Sequence, residues 1–342
     1  MQFKYLGRTG VLVSELCLGA MTFGREADEP ASHAMLDRFV EAGGNFVDTA
    51  NVYAEGRSEE IIGRWLTARG GRDDIVLATK VRFATGEGPN DVGLSRKHML
   101  HAVHASLRRL ATDYVDLLQI HTWDPGTPLE ETLRTLDQLV REGVVRYVGA
   151  SNLTGWQLER SLQLARTHGW ERFTTLQPQY NLLSRGIEWE VLPVCAEHGV
   201  GVIPWGPLAG GWLTGKHRPS GPAPGSRVVS ALPEHAEAWQ RRAEERTWAV
   251  LGVVREIAER HGASPAQVAL NWLRAKPPVT APILGARSLE QLQDNLACAD
   301  WQLTSEEVAE LDHVSAVELP YPYDFIENAS AQRLQSPSRG NA

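Results

Sequence analysis

The sequence predicts an α/β fold: a (β/α)8 TIM barrel with an N-terminal β-hairpin and extra loops and helices at the C-terminal mouth. Three observations predict it. Short apolar runs of strand length alternate eight times with longer amphipathic stretches. Several of the runs are Leu-rich or β-branched, as strands covered on both faces must be. The 342 residues, 42% of them hydrophobic, show no composition break that would split the chain in two. A single barrel domain is expected over residues 1–316. A C-terminal tail is expected over 317–342, disordered at its Ser-Pro-Ser-Arg-Gly-Asn-Ala extremity.

The elements follow in order. Residues 3–5 and 11–13 flank Gly7-Arg8-Thr9-Gly10 and read as a small hairpin ahead of the barrel. The eight barrel strands are predicted at 16–18, 45–49, 75–79, 115–120, 146–149, 175–177, 201–204 and 281–284. A helix over 95–110 places Met99, Val103, Leu107 and Leu110 on one face. A helix over 128–142 is expected to open with Thr127 as N-cap, Pro128 at its first position and Glu130 and Glu131 in its first turn. Residues 154–167 and 188–198 read likewise, the second stopped by Gly199. The segment 216–233, rich in Pro, Gly and Ser, is too long for an ordinary connection and reads as a functional or mobile loop. The last helix is expected near 305–313.

Composition excludes several functions. A formal net charge of −8 repels phosphate on average, so neither nucleic acid nor an anionic membrane is an expected partner. No apolar run reaches the ~20 residues of a membrane span, and the start lacks a signal-peptide core. Cys17, Cys195 and Cys298 form no C-x-x-C pair and read as reduced thiols, so a cytoplasmic protein is expected. Gly210 to Lys216 matches a P-loop skeleton, but His217 stands where Ser or Thr should hold magnesium, so the motif is rejected. His98, His101 and His104 step round a helix by ~60° each rather than stacking, and no metal site is expected. Trp65, Trp156, Trp189 and Trp272 are expected to pack helices on the barrel, with Trp123 and Trp205 near the mouth.

In a barrel of this kind chemistry gathers where strands end. The second strand ends in Asp48, with Tyr53 five residues on. The third ends in Lys80, the fourth in His121, the fifth in Ser151-Asn152. The sixth yields Gln177, the seventh Trp205, and the eighth Gly285 with Arg287 behind it. Alone, each has an ordinary reading as a cap, a core aromatic or a surface charge. Four at one mouth make sense as a carbonyl-reducing site. Oxygen gaining negative charge needs a proton donor, and tyrosine's pKa of ~10 needs a neighbouring cation to lower it. Lys80 would do so with Asp48 holding it, and His121 would orient the carbonyl.

From Leu6-Gly7-Arg8-Thr9-Gly10 to about Asn295 the chain resembles the aldo-keto reductases. The carrying motifs are Asn45-Phe46-Val47-Asp48-Thr49-Ala50-Asn51-Val52-Tyr53, Ala78-Thr79-Lys80, Gly149-Ala150-Ser151-Asn152, Gln177-Pro178-Gln179-Tyr180-Asn181 and Gly285-Ala286-Arg287. The resemblance implies reduction of an aldehyde or ketone, with hydride from nicotinamide C4 of NADPH and the proton from Tyr53. Asp48, Lys80 and His121 complete the tetrad. It also implies cofactor contacts. Ser151, Asn152 and Gln177 match the positions at the carboxamide, and Trp205 the ring stacked on the nicotinamide. Leu208, Gly210, Lys216 and Arg227 match contacts around the pyrophosphate, and Arg287, Gln291 and Asn295 those at the adenosine end. Gly19, Met21, Gly206, Pro207 and Gly285 join the cofactor set. An Arg287 partnered with the 2′-phosphate would favour NADP over NAD. Met21, Phe23, Phe83 and Trp123 are candidate walls of the pocket for a small carbonyl substrate, and Tyr321-Pro322-Tyr323 a cover for it. The run at 205–211 resembles the long-loop branch that includes potassium-channel β subunits. A cofactor-sensing binding module is therefore the alternative, although that branch usually carries Asn where this chain has His121. A barrel keeping its cofactor as a structural relic is a third reading. The oligomeric state is open.

Overall fold

The computed structural model describes residues 1–230 and 237–335. Strands β1 (Phe3–Tyr5) and β2 (Leu12–Ser14) pair antiparallel in a separate hairpin. Eight parallel strands follow: β3 (Cys17–Gly19), β4 (Phe46–Asp48), β5 (Val76–Val81), β6 (Val115–Ile120), β7 (Val145–Ser151), β8 (Thr175–Gln177), β9 (Gly201–Val202) and β10 (Ile283–Gly285). They lie side by side in chain order, with β10 against β3. The ring closes where Thr280 N donates to Val202 O and Ile283 N to Pro204 O. The predicted strands are therefore all present, displaced by a residue or two. Residues 203–204 continue the seventh run past the end of β9: Ile203 N donates to Leu176 O (3.0 Å), while Pro204, with no N–H, only accepts, from Ile283 N (2.9 Å). Conversely β5 runs on to Val81, so Lys80 lies inside its strand rather than after it.

The hairpin seals the end of the barrel opposite the strand C-termini. Leu6 and Val13 join Cys17, Phe46, Val76, Ala78, Leu117, Ile203, Ala281 and Ile283 in an apolar cluster inside the ring. Gly7 makes that approach possible: its φ is +57°, and a Cβ there would lie 2.2 Å from the carbonyl oxygen of Thr174. The larger core lies between strands and helices.

Outside the ring stand α1 (Glu29–Glu41), α2 (Arg57–Arg69), α3 (Arg96–Arg109), α4 (Leu129–Arg141), α5 (Gly155–His168) and α6 (Val191–His198). Then come the short α7 (Arg227–Ser230) and α8 (Trp239–Arg242), followed by α9 (Glu245–His261), α10 (Pro265–Arg274), α11 (Leu289–Leu296), α12 (Ser305–Val314) and α13 (Tyr323–Gln335). Helix α4 buries Leu129, Leu133, Leu136 and Leu139, one face at helical spacing. Its N-cap is Pro128 rather than Thr127, whose hydroxyl donates instead to Asp124 Oδ2 (2.7 Å). Helix α6 starts three residues later than its pattern suggested. Glu188 stays in a separate turn, where its carboxylate takes the Tyr180 hydroxyl (2.5 Å) and Arg185 (2.8 Å).

Two other expectations need correction. Trp156 is 53% exposed and packs edge-on to Trp123 (5.7 Å) instead of on the barrel. The helix near 305 is not the last: α13 lies in the tail, and Tyr323 packs against Trp189 (6.2 Å) beside a hollow of about 330 Å³. The tail's extremity, 336–342, lies outside the described residues. The 216–233 segment includes α7, and its residues 231–233 also lie outside the description. Its root is anchored by Trp212, Trp239 and Trp248, whose rings meet at 5.2 to 5.8 Å around buried His217. Among the described residues no helix is long and apolar enough to cross a membrane, and no His/Cys/Asp/Glu group could hold a metal. The three cysteines are unpaired and buried.

Candidate active site

Tyr53 sits on a tight turn between Asp48, the last residue of β4, and helix α2. Ala54 and Glu55 take φ of +48° and +59°, a conformation that non-glycine residues adopt at a cost, and Gly56 completes the turn at +93°. The surroundings hold it. Ser58 Oγ donates to Ala20 O and shares a hydrogen bond with Thr49 Oγ1 (both 2.8 Å). Buried Glu59 accepts from Thr79 Oγ1 (2.5 Å) and Arg109 Nε (2.7 Å), tying the start of α2 to β5 and α3.

The turn delivers the Tyr53 hydroxyl to Lys80. The buried Lys80 Nζ donates to Asp48 Oδ2 (2.5 Å), to Thr49 O (2.9 Å) and, at 3.4 Å, to Tyr53 Oη. Burial opposes the ammonium charge, but Asp48 and Tyr53 outweigh it and hold Lys80 above its ordinary range. Asp48 is fixed from its other side: Gln119 Nε2 (3.0 Å) and Gln177 Nε2 (2.9 Å) both donate to its Oδ1. Tyr53 departs from expectation. Burial raises its phenol pKa, Asp48 adds to this, and the Lys80 cation only partly offsets them. The phenol is thus firmly protonated at rest, with a cation placed for the phenolate.

His121 follows β6, its ring 5.8 Å from the Tyr53 ring and 4.6 Å from that of Phe83, both edge-on. Its pKa is pushed down to about 3 by burial and by the Lys80 and Arg82 cations. It is therefore a neutral imidazole at physiological pH, able to donate an N–H bond but carrying no spare proton.

A second network lies beside the tetrad. Trp205 Nε1 donates to Asn152 Oδ1 (2.9 Å), and Asn152 Nδ2 donates to Ser151 Oγ (2.9 Å) and His121 O (3.0 Å). Ser151 Oγ donates on to Gln177 O (2.8 Å). Asn152 holds φ +55°, a conformation asparagine tolerates better than most residues. Further out, Lys216 is depressed by burial and by the Arg287 and Arg227 cations, which marks the three as neighbours. Glu26 meets two of them, Arg227 at 2.8 Å and Arg287 at 3.6 Å.

The remaining candidates fall in several places. Gln291 Oε1 accepts from Arg287 N (3.0 Å), and Asn295 is buried on the same helix. Gly285 is open, whereas a Cβ on Gly19 would strike Ile283 (2.6 Å) and one on Gly210 would strike Glu237 (2.7 Å). Asn181 Nδ2 donates to Gly206 O (2.8 Å); Pro207 is buried and Leu208 half-buried. Met21 and Phe83 are 42% and 36% exposed, and Trp123 is half-buried. Phe23 has no exposed surface and belongs to the core, so it cannot be an open wall. Tyr321 is 82% exposed and covers nothing. Two residues of the site escaped the sequence reading. Gln119 is, with Asp116, one of two polar residues in the otherwise apolar strand β6, a signal that was available. Arg82 follows β5 in a loop and gave none.

The chain is also similar to known proteins. The model of the Aldo/keto reductase family matches residues 15–316. The chain is 39% identical to the uncharacterized oxidoreductase YrpG of Bacillus subtilis, covering 90% of this chain and 93% of that protein. It is 35% identical to norsolorinic acid reductase stcV of Emericella nidulans (96% and 84% covered). It is also 39% identical to a probable voltage-gated potassium channel subunit beta of Oryza sativa subsp. japonica (88% and 92% covered).

Proposed function

The chain belongs to the aldo/keto reductase family and is an oxidoreductase, and we propose that it reduces an aldehyde or ketone to the alcohol with NADPH, Tyr53 giving the proton. One observation carries the reading. A half-buried, protonated phenol lies 3.4 Å from a lysine that Asp48 and Thr49 O hold in place, beside a neutral imidazole that is a far weaker acid than its protonated form. Of the two groups able to touch a carbonyl oxygen, only Tyr53 can act as the acid.

The roles follow from the bonds. His121 donates a hydrogen bond that orients the carbonyl oxygen. Tyr53 Oη transfers its proton to that oxygen as negative charge builds there, and Lys80 Nζ stabilises the phenolate left behind. Asp48 keeps Lys80 charged and aimed, while Gln119 and Gln177 keep Asp48 from turning. The family generally uses nicotinamide cofactors, and a bound nicotinamide would supply the hydride. The residues fit a dinucleotide: three neighbouring cations (Lys216, Arg227, Arg287) suit its phosphates, and Trp205 with Ser151 and Asn152 offers an indole face and polar groups for the ring. NADP over NAD rests on Arg287. Three buried, unpaired thiols suit a cytoplasmic setting.

The test is Tyr53→Phe, followed at the NADPH absorbance band with aromatic and aliphatic aldehydes. Loss of about 100-fold or more in kcat with unchanged NADPH affinity supports Tyr53 as the acid; full turnover refutes it. The channel-subunit reading draws on the rice relative. Its mark is a tetramer copurifying with a membrane partner and little turnover of any carbonyl.

A further inference from the structure

We propose that Arg82 is a substrate-recognition residue, and that the enzyme prefers carbonyl compounds bearing an anionic oxygen, such as a carboxylate or ionised phenol, beyond the carbonyl. The inference rests on the carbonyl-reductase reading and narrows its substrate class.

Arg82 is the first residue after β5, two positions past Lys80, and is half-buried. Its Nε is buried without a hydrogen-bond partner. Among the described residues its guanidinium makes no ion pair and no side-chain hydrogen bond. Other part-buried arginines do not stand so. Arg72, Arg109, Arg185 and Arg274 each meet a carboxylate at 2.7 or 2.8 Å. Asp124, near enough to feel the Arg82 charge, is engaged elsewhere. Its oxygens accept from Leu94 N (2.7 Å), Thr127 Oγ1 (2.7 Å) and Gly126 N (3.1 Å). A guanidinium partly withdrawn from water, with its Nε buried and no anion beside it, is left unsatisfied on that side, and a ligand that completes it gains a charge-assisted, often bidentate, bond.

Its position says which ligand. The Arg82 guanidinium carbon lies 5.4 Å from the Phe83 ring centroid, and that ring lies 4.6 Å from His121, which neighbours Tyr53. The cation is therefore one aromatic ring away from the group that orients the carbonyl. Its charge reaches the reacting site, since it helps to hold His121 neutral. Exposed Met21, Phe83 and Trp156 offer apolar surface for the body of a substrate whose ends are a carbonyl and an anion.

The experiment compares para-carboxybenzaldehyde with its methyl ester in the full-length enzyme with NADPH. Wild type is expected to favour the acid by about tenfold or more in kcat/KM, mainly through KM. Arg82→Met should collapse that ratio towards unity, and Arg82→Lys should restore part of it. No preference in wild type, or equal loss on both compounds in R82M, overturns the proposal. If neither compound oxidises NADPH, the reductase reading fails separately. Arg82 is then judged by benzoate quenching of tryptophan fluorescence. Quenching that R82M loses supports an anion site, and equal quenching in both proteins overturns it.

Discussion

At the scale of single residues the site separates two groups that could compete as the acid. Burial pushes the Tyr53 phenol up and the His121 imidazole down, to about 3. Both are neutral over the physiological range, but only the phenol holds a transferable proton. Turnover should thus show no ionisation limb from His121 between about pH 5 and 8; a clear inflection near 6.5 that His121→Gln removes would sink the assignment. Stability responds differently. Between pH 6.5 and about 3 the unfolded His121 is protonated and the folded one is not. Its contribution is complete above the unfolded value and falls by about 1.4 kcal/mol per pH unit as pH drops through that window. H121Q should flatten the acid branch of a urea-denaturation series by that slope. The tetrad was legible because each member is a polar residue at or near the end of an apolar run. The net direction of the Tyr53 shift was not, because it depends on how much water the surrounding shell excludes, and spacing does not report that.

At the scale of elements, the proposed role of Tyr53 depends on a strained turn that α2 must hold down. Ala54 and Glu55 are in left-handed conformations, and the start of α2 is secured by Glu59 between Thr79 and Arg109. Glu59→Ala leaves a part-buried guanidinium unmatched and should cost about 3–5 kcal/mol, read as a shifted denaturation midpoint. It should also lower kcat by letting Tyr53 drift from Lys80, whereas NADPH affinity should hardly move. A variant with the stability loss but wild-type kcat would show that the turn does not need this anchor. Strand positions were readable to within a residue or two, since β5 and β6 are almost wholly buried runs of mostly apolar residues. Helix starts were less so. Thr127 and Glu188 each had a competing partner earlier in the chain, Asp124 three residues before and Tyr180 eight residues before, which draws the side chain away from the cap. Glu59 gives no sequence signal of its role, because only tertiary packing brings Arg109, fifty residues on, to it.

At the scale of the whole molecule, net charge and site charge oppose each other. The chain carries 42 acidic and 34 basic side chains, a formal −8, so a polyanionic dinucleotide is repelled until it reaches the local cluster of Lys216, Arg227 and Arg287. Glu26 lies in that cluster, 2.8 Å from Arg227 and 3.6 Å from Arg287, where its carboxylate would compete with the phosphate of the proposed cofactor for the same cations. Two substitutions should therefore act in opposite directions. Arg287→Gln should weaken NADP⁺ by about tenfold, the lower range for a part-exposed charge-assisted bond, and leave NAD⁺ within about twofold. Glu26→Gln should tighten NADP⁺ by severalfold. Both effects should shrink as salt rises past ~0.1 M, where the screening length falls to ~10 Å. Quenching of intrinsic tryptophan fluorescence can follow the titrations, since Trp205 lies in the network assigned to the nicotinamide ring and Trp212, Trp239 and Trp248 anchor the loop that carries Arg227. Equal weakening of NADP⁺ and NAD⁺ by R287Q would place Arg287 on the pyrophosphate instead and remove the basis for NADP preference.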